Sequence, residues 1–520
     1  MAPPHLEVVF INSNPESSNQ KIHPLYDITP AGEFRSKDLP SVDIVLPVHN
    51  NQGKLDLVLT ALSKLNYPPQ KIKVFILDDG STPKINLKIK LPFKTKVLYR
   101  EANSKGWGKA SLVNFYLKEF KSQNIWFLDS DILVQEDHLL WLTRYQNINS
   151  KSIVLGFKRF TTNFEITFKN LNQVLDNKEF DSLFSDSYPH DYWEELVTQS
   201  NYCQDLNFDI FKIMVGATFL INRKDFIELG GYQEITTGED TVFGYRAFTQ
   251  GFSFIPVAEA KSYHLGATTM QKNQEIMLNH NMAILADYIP TLTHYRALPY
   301  INYSTPYTVI HYRYSNETFE RFVKNLKSFA TLSPSFLIDF PIDLTTLKAK
   351  YNVVDDPYAD LRKIYNYYKS SPQVRFVPLI SKSIDSILKQ YAQTYASAIL
   401  IIDGDTELLV DLKKINAYLK TTPLVAIAGI DNKDSKLIFS TPNLLNRHGV
   451  DAINVYYQLI DDELFQWLPL ENLALKVNKK KAYWKFIKYL FRRVKTIRNL
   501  TDAKNMISKA KVILKNYLIK

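Results

Sequence analysis

Residues 73–81 read Lys73-Val74-Phe75-Ile76-Leu77-Asp78-Asp79-Gly80-Ser81, an apolar run that stops at two acids and a turn sequence. A second run of this kind, Ile125-Trp126-Phe127-Leu128-Asp129-Ser130-Asp131, follows further along the chain. Such runs are typical of buried parallel strands, whose carboxyl ends meet at one edge of the sheet, where ligands of open α/β folds bind. Paired acids at that edge can hold a divalent metal, because hard cations prefer carboxylate oxygens.

Strand and helix patterns alternate around these two runs. Apolar runs at 44–47, 74–77, 97–99 and 125–128 predict strands, and apolar spacing over 55–65 and 110–120 predicts helices. This βαβ alternation predicts a parallel sheet with right-handed crossovers. Residues 160–210 are aromatic and acidic with few regular signals, which suits an insertion that shapes an acceptor site, and the alternation returns from 215 to about 290.

The length of 520 residues exceeds what one hydrophobic core usually organises, so several domains are expected. We predict an irregular N-terminal arm over 1–40, an α/β domain over 41–295, a second α/β domain over 300–475 and a tail over 476–520. The second domain begins the pattern again, with strands at 307–310 and 398–402 and a helix at 319–329. The later strand ends in Asp403-Gly404-Asp405, a second acid pair.

The basic character of the chain is confined to the tail. Residues 476–520 carry fifteen Lys or Arg and one acid, Asp502, a net +14, so the formal charge of +10 leaves the first 475 residues at about −4. Apolar residues recur in the tail at three- and four-residue spacing, which predicts a basic amphipathic helix that lies on anionic lipid or packs on its own domain. Nucleic-acid binding is not expected, because no reader motif accompanies the charge.

Cysteine usage and apolar runs indicate the compartment. Cys203 is the only cysteine, so an intramolecular disulfide is excluded and a reducing compartment is expected. The N-terminal residues show no basic and apolar leader, and no apolar run has the ~18 residues of a membrane span. We therefore expect a cytoplasmic protein, held at the inner face of the plasma membrane if the tail binds lipid.

Several motifs follow one another in an order that identifies a family. They are Val45-Leu46-Pro47-Val48-His49-Asn50, Asp78-Asp79-Gly80-Ser81, Asn103-Ser104-Lys105-Gly106-Trp107-Gly108-Lys109, Asp129-Ser130-Asp131, Gly230-Gly231-Tyr232, Gly238-Glu239-Asp240 and Ser262-Tyr263-His264-Leu265-Gly266. Over residues 42–266 the chain resembles the inverting family 2 glycosyltransferases of the GT-A type, which have a Rossmann-like fold and use nucleotide-diphosphate sugars. The second domain is then expected to be a diverged GT-A-like domain, as in the two-domain bacterial polysaccharide polymerases of the chondroitin-polymerase type.

The resemblance implies a nucleotide site. Its residues would be Pro47, His49, Asn50, Asp79, Lys109 and Asp129. His49 stands where relatives usually have Tyr, and its planar imidazole can still stack on a base. Asp79 would accept a hydrogen bond from the base, whereas Asp78 equally suits a turn-fixing role. The glycines before Lys109 would let backbone amides approach phosphate at a helix start.

The resemblance also implies a metal and a base. Asp129, Asp131 and His264 would hold Mn²⁺ or Mg²⁺, with alternation along an extended backbone sending both acids to one side. Asp240 would remove the acceptor hydroxyl proton and Glu239 would orient the acceptor. Capping of the helix N-terminus is the alternative role for both residues, and it is compatible with catalysis.

These residues predict an inverting, metal-dependent hexosyltransferase of cell-surface polysaccharide synthesis, such as capsule. It would move a sugar from a nucleotide-diphosphate donor, expected to be a UDP-sugar, to a hydroxyl of a glycan or lipid-linked glycan. Two alternatives stay open. One is a bifunctional polymerase that also uses Asp403-Gly404-Asp405, and the other is a non-catalytic scaffold that binds nucleotide or glycan.

Overall fold

The computed structural model describes residues 7–12, 39–101, 108–146, 151–161, 166–189, 192–200, 202–203, 210–235, 237–266, 274–296, 299, 301–379, 384–404, 424–430, 436–440 and 446. Its strands are β1 Glu7–Asn12, β2 Val42–Val48, β3 Ile72–Asp79, β4 Lys94–Arg100, β5 Asn124–Leu128, β6 Ile132–Val134, β7 Ser152–Thr161, β8 Tyr188–Pro189, β9 Thr218–Asn222, β10 Ser253–Leu265, β11 Thr308–Arg313, β12 Phe336–Ile342, β13 Val374–Pro378, β14 Ala398–Asp403, β15 Leu424–Ile430 and β16 Lys436–Ser440. Its α-helices are α1 Gln52–Leu62, α2 Lys109–Tyr116, α3 His138–Gln146, α4 Phe168–Asp176, α5 Trp193–Gln199, α6 Arg223–Glu228, α7 Glu239–Thr249, α8 Gln274–Tyr288, α9 Phe319–Leu332, α10 Leu344–Lys348, α11 Ala359–Tyr368 and α12 Ile384–Tyr391.

The first sheet runs in the order β4-β3-β2-β5-β9-β7-β10-β6, with β8 beside β7. Its first four strands are parallel, as the βαβ alternation predicts, and β9 joins β5 antiparallel. The apolar runs of β2 and β5 are buried throughout, because helices and loops cover both faces of the sheet. The predicted order of strands and helices from 44 to 128 is therefore confirmed.

The second sheet repeats this arrangement. Its order is β1-β15-β16-β14-β11-β12-β13. Four adjacent strands of this sheet are parallel: β14, β11, β12 and β13. They correspond in order to β5, β2, β3 and β4 of the first sheet. β16 joins β14 antiparallel, as β9 joins β5. The second domain therefore has the GT-A-like α/β arrangement that its sequence pattern predicts, around a separate apolar core.

The N-terminal arm differs from its prediction. Residues 7–12 form β1, which pairs antiparallel with β15 at the edge of the second sheet, so this part of the arm is not irregular. Its register runs from Glu7 opposite Ile430 to Asn12 opposite Leu424. A short strand whose partner lies at the other end of the chain has no local signal beyond its own few residues, and this explains the error.

The two domains contact each other through the C-terminal half of α7. The Tyr245 hydroxyl lies 3.1 Å from Ser397 Oγ, and the Gln250 amide donates to the carbonyl of Ala392 at 3.3 Å. The Tyr395 hydroxyl donates to the carbonyl of Leu229 at 3.3 Å. Because α7 begins with Glu239 and Asp240, the second domain helps to fix the helix that carries both acids.

Two predicted features concern residues outside the described ranges. The basic tail of 476–520 lies there, as do Asn103, Gly106 and Asp405. No helix within the described residues has both the length and the apolar character of a membrane span.

Candidate active site

The nucleotide-side residues Pro47, His49 and Asn50 lie at and just beyond the carboxyl end of β2, with Pro47 buried in the strand. His49 Nδ1 lies 2.8 Å from the backbone oxygen of Asp79, and because a carbonyl only accepts, Nδ1 carries the hydrogen. His49 Nε2 then accepts from the Asn50 amide at 3.0 Å. The plane of the imidazole is fixed at the sheet edge, as stacking on a base requires.

The two acids at the end of β3 have separate roles. Asp78 accepts from the backbone amides of Ser81 and Ile85, at 2.9 and 3.0 Å, so it fixes the turn. Asp79 is 1% exposed and accepts from Arg100 Nε at 2.8 Å and from the Gly108 amide at 3.0 Å. Asp79 thus anchors the start of α2 beside the predicted base pocket, and its contact with a base stays a prediction.

Lys109, at the start of α2, is bound to the first acid of the Asp-Ser-Asp motif. Its Nζ lies 2.5 Å from Asp129 Oδ1 and donates to the Gly216 carbonyl at 3.0 Å. Burial opposes the charge of Lys109, but Asp129, Glu239 and Asp240 outweigh it and raise its pKa. Burial also raises the pKa of Asp129, against the effect of Lys109. Lys109 therefore stays charged among carboxylates from two parts of the chain.

The second acid of the motif, Asp131, has different partners. Its Oδ2 accepts from Lys54 Nζ at 3.3 Å, and its Oδ1 lies 3.5 Å from His264 Nε2. Lys54 also donates to the Leu265 carbonyl at 2.7 Å, which ties the start of α1 to the end of β10. Asp131 is therefore the point where α1 and β10 meet the loop after β5.

The Asp-Ser-Asp motif forms a turn and not an extended strand end. β5 ends at Leu128, and the amide of Ile132 donates to the Asp129 carbonyl at 3.2 Å. The expectation that strand alternation aligns both acids is therefore wrong, because the backbone reverses there before β6. Asp129 turns to Lys109 and Asp131 to His264.

Asp131 and His264 present a suitable pair of ligand atoms for a divalent cation. His264 Nδ1 lies 2.6 Å from the Gly266 carbonyl, so the hydrogen is on Nδ1 and Nε2 presents a lone pair. Burial lowers the pKa of His264, in spite of Asp131, which favours the neutral ring. A lone pair and a carboxylate oxygen therefore face each other across 3.5 Å, an arrangement that a cation between them would stabilise.

The predicted third ligand does not join this pair. No group of three His, Cys, Asp or Glu side chains that could hold a metal occurs within the described residues, which include Asp129, Asp131 and His264. Asp129 is drawn to Lys109 instead. The protein thus offers Asp131 and His264 as a pair, and further ligands would come from a diphosphate and water.

Asp240 of α7 also contacts Gly216, close to Lys109. Asp240 Oδ2 accepts from the Gly216 amide at 2.9 Å, and its Oδ1 accepts from the Thr241 amide at 2.7 Å. Burial and the neighbouring Asp240 raise the pKa of Glu239 to about 7, while Lys109 opposes the shift. Since Gly216 also accepts from Lys109, one residue connects the donor-side acids with the predicted base.

The approach to α7 depends on glycine. Gly230 and Gly231 have φ of +83° and +65°, a region that side chains with a Cβ rarely adopt. The turn they form presents the Tyr232 amide and carbonyl to Asn114, at 3.1 and 2.8 Å. The predicted glycine turn is therefore present and is bound to α2, and its place on the acceptor side stays a prediction.

Three cations near the site were not predicted from the sequence: Lys54, Arg100 and Lys158. Arg100 ends β4, the strand next to Asp79, so the strand order could have indicated it. Lys54 lies in the first turn of α1, and Lys158 is one of two adjacent basic residues in β7. Nothing in their spacing relates them to acids that lie far away in the chain.

The second domain has a different arrangement at the corresponding edge. Arg313 lies opposite Asp403 in the pairing of β11 with β14, and Arg313 Nε contacts Asp403 Oδ1 at 2.6 Å. In the first domain, Val45 pairs with Phe127, and continuing this register by two residues brings Pro47 to the position that Arg313 holds. The acid that ends β14 is thus neutralised by a side chain from the strand where the first domain has a proline.

Part of the chain matches a known protein family. Residues 43–230 match the family model described as glycosyl transferase family 2. This segment is a family 2 glycosyltransferase domain. It contains β2 to β9, and with them the nucleotide-side residues and the Asp-Ser-Asp motif. His264 and the acids of α7 lie after the matched segment.

Individual relatives are distant. A protein named probable glycosyltransferase YdaM from Bacillus subtilis is 24% identical over 232 residues, 43% of this chain and 50% of its own length. A chondroitin synthase of Escherichia coli is 20% identical over 378 residues, 67% of this chain and 52% of its own. The chain thus spans about half the length of these relatives. Among solved structures, a mannosyltransferase from Pyrobaculum calidifontis in complex with GDP-Man and Mn²⁺ matches with 16% identity and a TM-score of 0.34, over 52% of this chain and 66% of its own.

Proposed function

We propose that the protein is an inverting glycosyltransferase that moves a sugar from a nucleotide-diphosphate donor, a UDP-sugar, to a hydroxyl of a glycan or lipid-linked glycan. The observation that carries the proposal is the contact of Gly216 with both halves of the site. Its carbonyl accepts from Lys109, the partner of Asp129, and its amide donates to Asp240. The partner of a donor-side acid and the proposed base thus contact one backbone residue, and this closeness supports a single site for donor and acceptor.

On the donor side, the chain would supply a base pocket, cations and metal ligands. Pro47, His49 and Asn50 would receive the base, and Asp79 would hold the loop before α2 against it. The amides at the start of α2 would face phosphate oxygens. Asp131 Oδ1 and His264 Nε2 would hold Mn²⁺ or Mg²⁺, and the imidazole nitrogen favours Mn²⁺. When bound, the cation would neutralise charge on the departing diphosphate.

On the acceptor side, Asp240 would accept the proton of the incoming hydroxyl while the hydroxyl oxygen forms a bond to C1 of the sugar. The bond from C1 to the phosphate oxygen breaks on the opposite face, its electron pair stays on the nucleoside diphosphate, and the configuration at C1 inverts. Glu239 would orient the acceptor by accepting a hydrogen bond from another of its hydroxyls when the Glu239 carboxylate is ionised. The Gly216 and Thr241 amides hold Asp240 in place for this step.

The setting would be polysaccharide synthesis at the cytoplasmic face of the plasma membrane. The basic composition of 476–520 supports attraction to anionic lipid. The second domain would fix α7 through the contacts of Tyr245 and Gln250 and would take part in acceptor binding.

A donor panel tests the proposal. The purified protein is incubated with UDP-, GDP- and dTDP-sugars and a glycan acceptor, with Mn²⁺ and with EDTA, and the released nucleotide and the product are measured. We expect one nucleotide class to be consumed, with Mn²⁺ required. A protein that binds nucleotide but neither hydrolyses nor transfers any donor would instead be the non-catalytic scaffold.

The pKa of Glu239 gives a pH prediction. With a pKa of about 7, Glu239 is protonated below and ionised above that pH, so kcat/KM for the acceptor should rise as pH increases through about 7. Glu239→Gln should remove that rise and leave a flatter, lower profile. The measurement is the acceptor kcat/KM between about pH 5.5 and 8.5. Glu195→Gln, at an exposed position of α5, serves as the control and should keep the wild-type profile. An unchanged profile for Glu239→Gln would contradict this role.

The ion pair of Arg313 with Asp403 allows a test between the proposed single-site transferase and the bifunctional polymerase. An acid neutralised by Arg313 is a poor ligand for a metal and a diphosphate, so Asp403→Asn should leave the transfer rate unchanged and lower the stability slightly. The products are compared by mass after incubation with mixed donors. Loss of one of two sugar additions in Asp403→Asn would favour the polymerase.

A further inference from the structure

Lys158 is a buried cation for which the mechanism above has no role. It lies in β7, opposite Ser262 of β10, and the residue is 4% exposed. Burying an ammonium group is costly unless a partner compensates the charge. The described contact of its Nζ is with the ring of Phe160, 5.1 Å from the centroid.

The other cations of the site have partners, and Lys158 has none in the part of the chain that the structure describes. Lys54 contacts Asp131, Lys109 contacts Asp129, and Arg100 contacts Asp79. For Lys158 no side-chain hydrogen bond or ion pair is formed there. Its ammonium therefore retains donors that a ligand can use.

The surroundings of Lys158 place it at the centre of the site. Burial lowers its pKa to about 8, against the attraction of Asp129, Asp240 and Asp131. The Phe160 ring that its Nζ contacts lies 5.0 Å from the ring of His264, centroid to centroid. Lys158 thus lies within electrostatic reach of the donor-side acids, the histidine and the base at once. A donor diphosphate must enter among these carboxylates, and an uncommitted cation would offset the repulsion.

We propose that Lys158 binds the diphosphate of the donor, donating hydrogen bonds from Nζ to oxygens of the phosphate next to the sugar. The inference rests on the proposed function and adds a residue to the leaving-group site. As the bond from C1 to oxygen breaks, the electron pair remains on the phosphate oxygen, and Lys158 stabilises that charge while it keeps its proton. A charge-assisted contact in a buried site is stronger than a neutral one, and this distinguishes Lys158 from the backbone amides of α2.

The test compares Lys158→Met with the unchanged protein in binding UDP and UMP, which differ by the phosphate in question. Methionine keeps the length of the side chain and removes its charge. The control is Lys261→Met on the adjacent strand β10, whose lysine contacts Asp181 and not the site. Affinities are measured by calorimetry with Mn²⁺ and with EDTA, and thermal unfolding of the ligand-free proteins is recorded.

We expect Lys158→Met to bind UDP roughly tenfold or more weakly and UMP as the unchanged protein does. Its unfolding temperature should not fall, because the substitution removes a buried charge without a partner. Lys261→Met should keep both affinities.

Four results would overturn the inference. A lower unfolding temperature with equal losses for UDP and UMP would show a structural role. An unchanged UDP affinity with weaker binding of a UDP-sugar alone would place the contact on the sugar. If the unchanged protein binds none of UDP, GDP and dTDP, the proposed function fails and this inference with it; if it binds UDP and Lys158→Met behaves identically, only this inference fails.

Discussion

Asp240→Asn should abolish transfer while nucleotide binding persists. The amide cannot take the proton of the acceptor hydroxyl, and loss of a positioned general base costs about 10²–10⁴-fold in rate. The side chain keeps its shape, and its oxygen can still accept from the Gly216 amide, so the link to the donor side is retained. The measurement is kcat at saturating donor and acceptor, together with the dissociation constant of the nucleoside diphosphate.

A matched control is available on another helix. Asp225 lies in the first turn of α6, as Asp240 does in α7, and its charge interacts with Glu228, Lys151 and Lys224. Asp225→Asn should therefore leave kcat unchanged. A folded Asp240→Asn protein with wild-type kcat would show that the acid only caps α7, and Glu239 would become the candidate base.

Asp131→Asn should remove the metal dependence and nearly all activity. The substitution replaces a charged oxygen ligand beside His264 Nε2 with a neutral amide and leaves Lys54 without its carboxylate. A cation at a departing diphosphate contributes several kcal/mol of charge stabilisation, so a loss of about 10³-fold is expected. Initial rates over a series of Mn²⁺ concentrations, and Mn²⁺ binding in the presence of UDP, give the measurement.

The control for this change is Asp176→Asn, which removes an exposed carboxylate that pairs with Lys64. Both the rate and the Mn²⁺ response should match the unchanged protein, because exposed ion pairs contribute little. If Asp131→Asn folds and transfers sugar with the same Mn²⁺ response, the metal does not bind through Asp131.

Much of the first domain could be predicted from local sequence. The strands around 44–47, 74–77 and 125–128 follow from apolar runs that end in polar residues. The structure extends them to Val42–Val48, Ile72–Asp79 and Asn124–Leu128. The separate roles of Asp78 and Asp79 could be foreseen only in part. The turn chemistry of Asp78 is local, whereas Asp79 is held by Arg100 from the next strand.

The position of the Asp-Ser-Asp motif was predictable, but its geometry was not. The sequence determined that β5 ends near residue 128 and that acids follow it. Both features are local, because an apolar run is buried as a strand and charged residues favour the edge of the sheet. Tertiary structure alone decided that Asp129 faces Lys109, that Asp131 faces His264 and Lys54, and that Lys158 lies without a partner among them. Those partners come from α1, α2, β7 and β10, far apart in the chain, and side-chain electrostatics depends on distances that only packing of the whole domain sets.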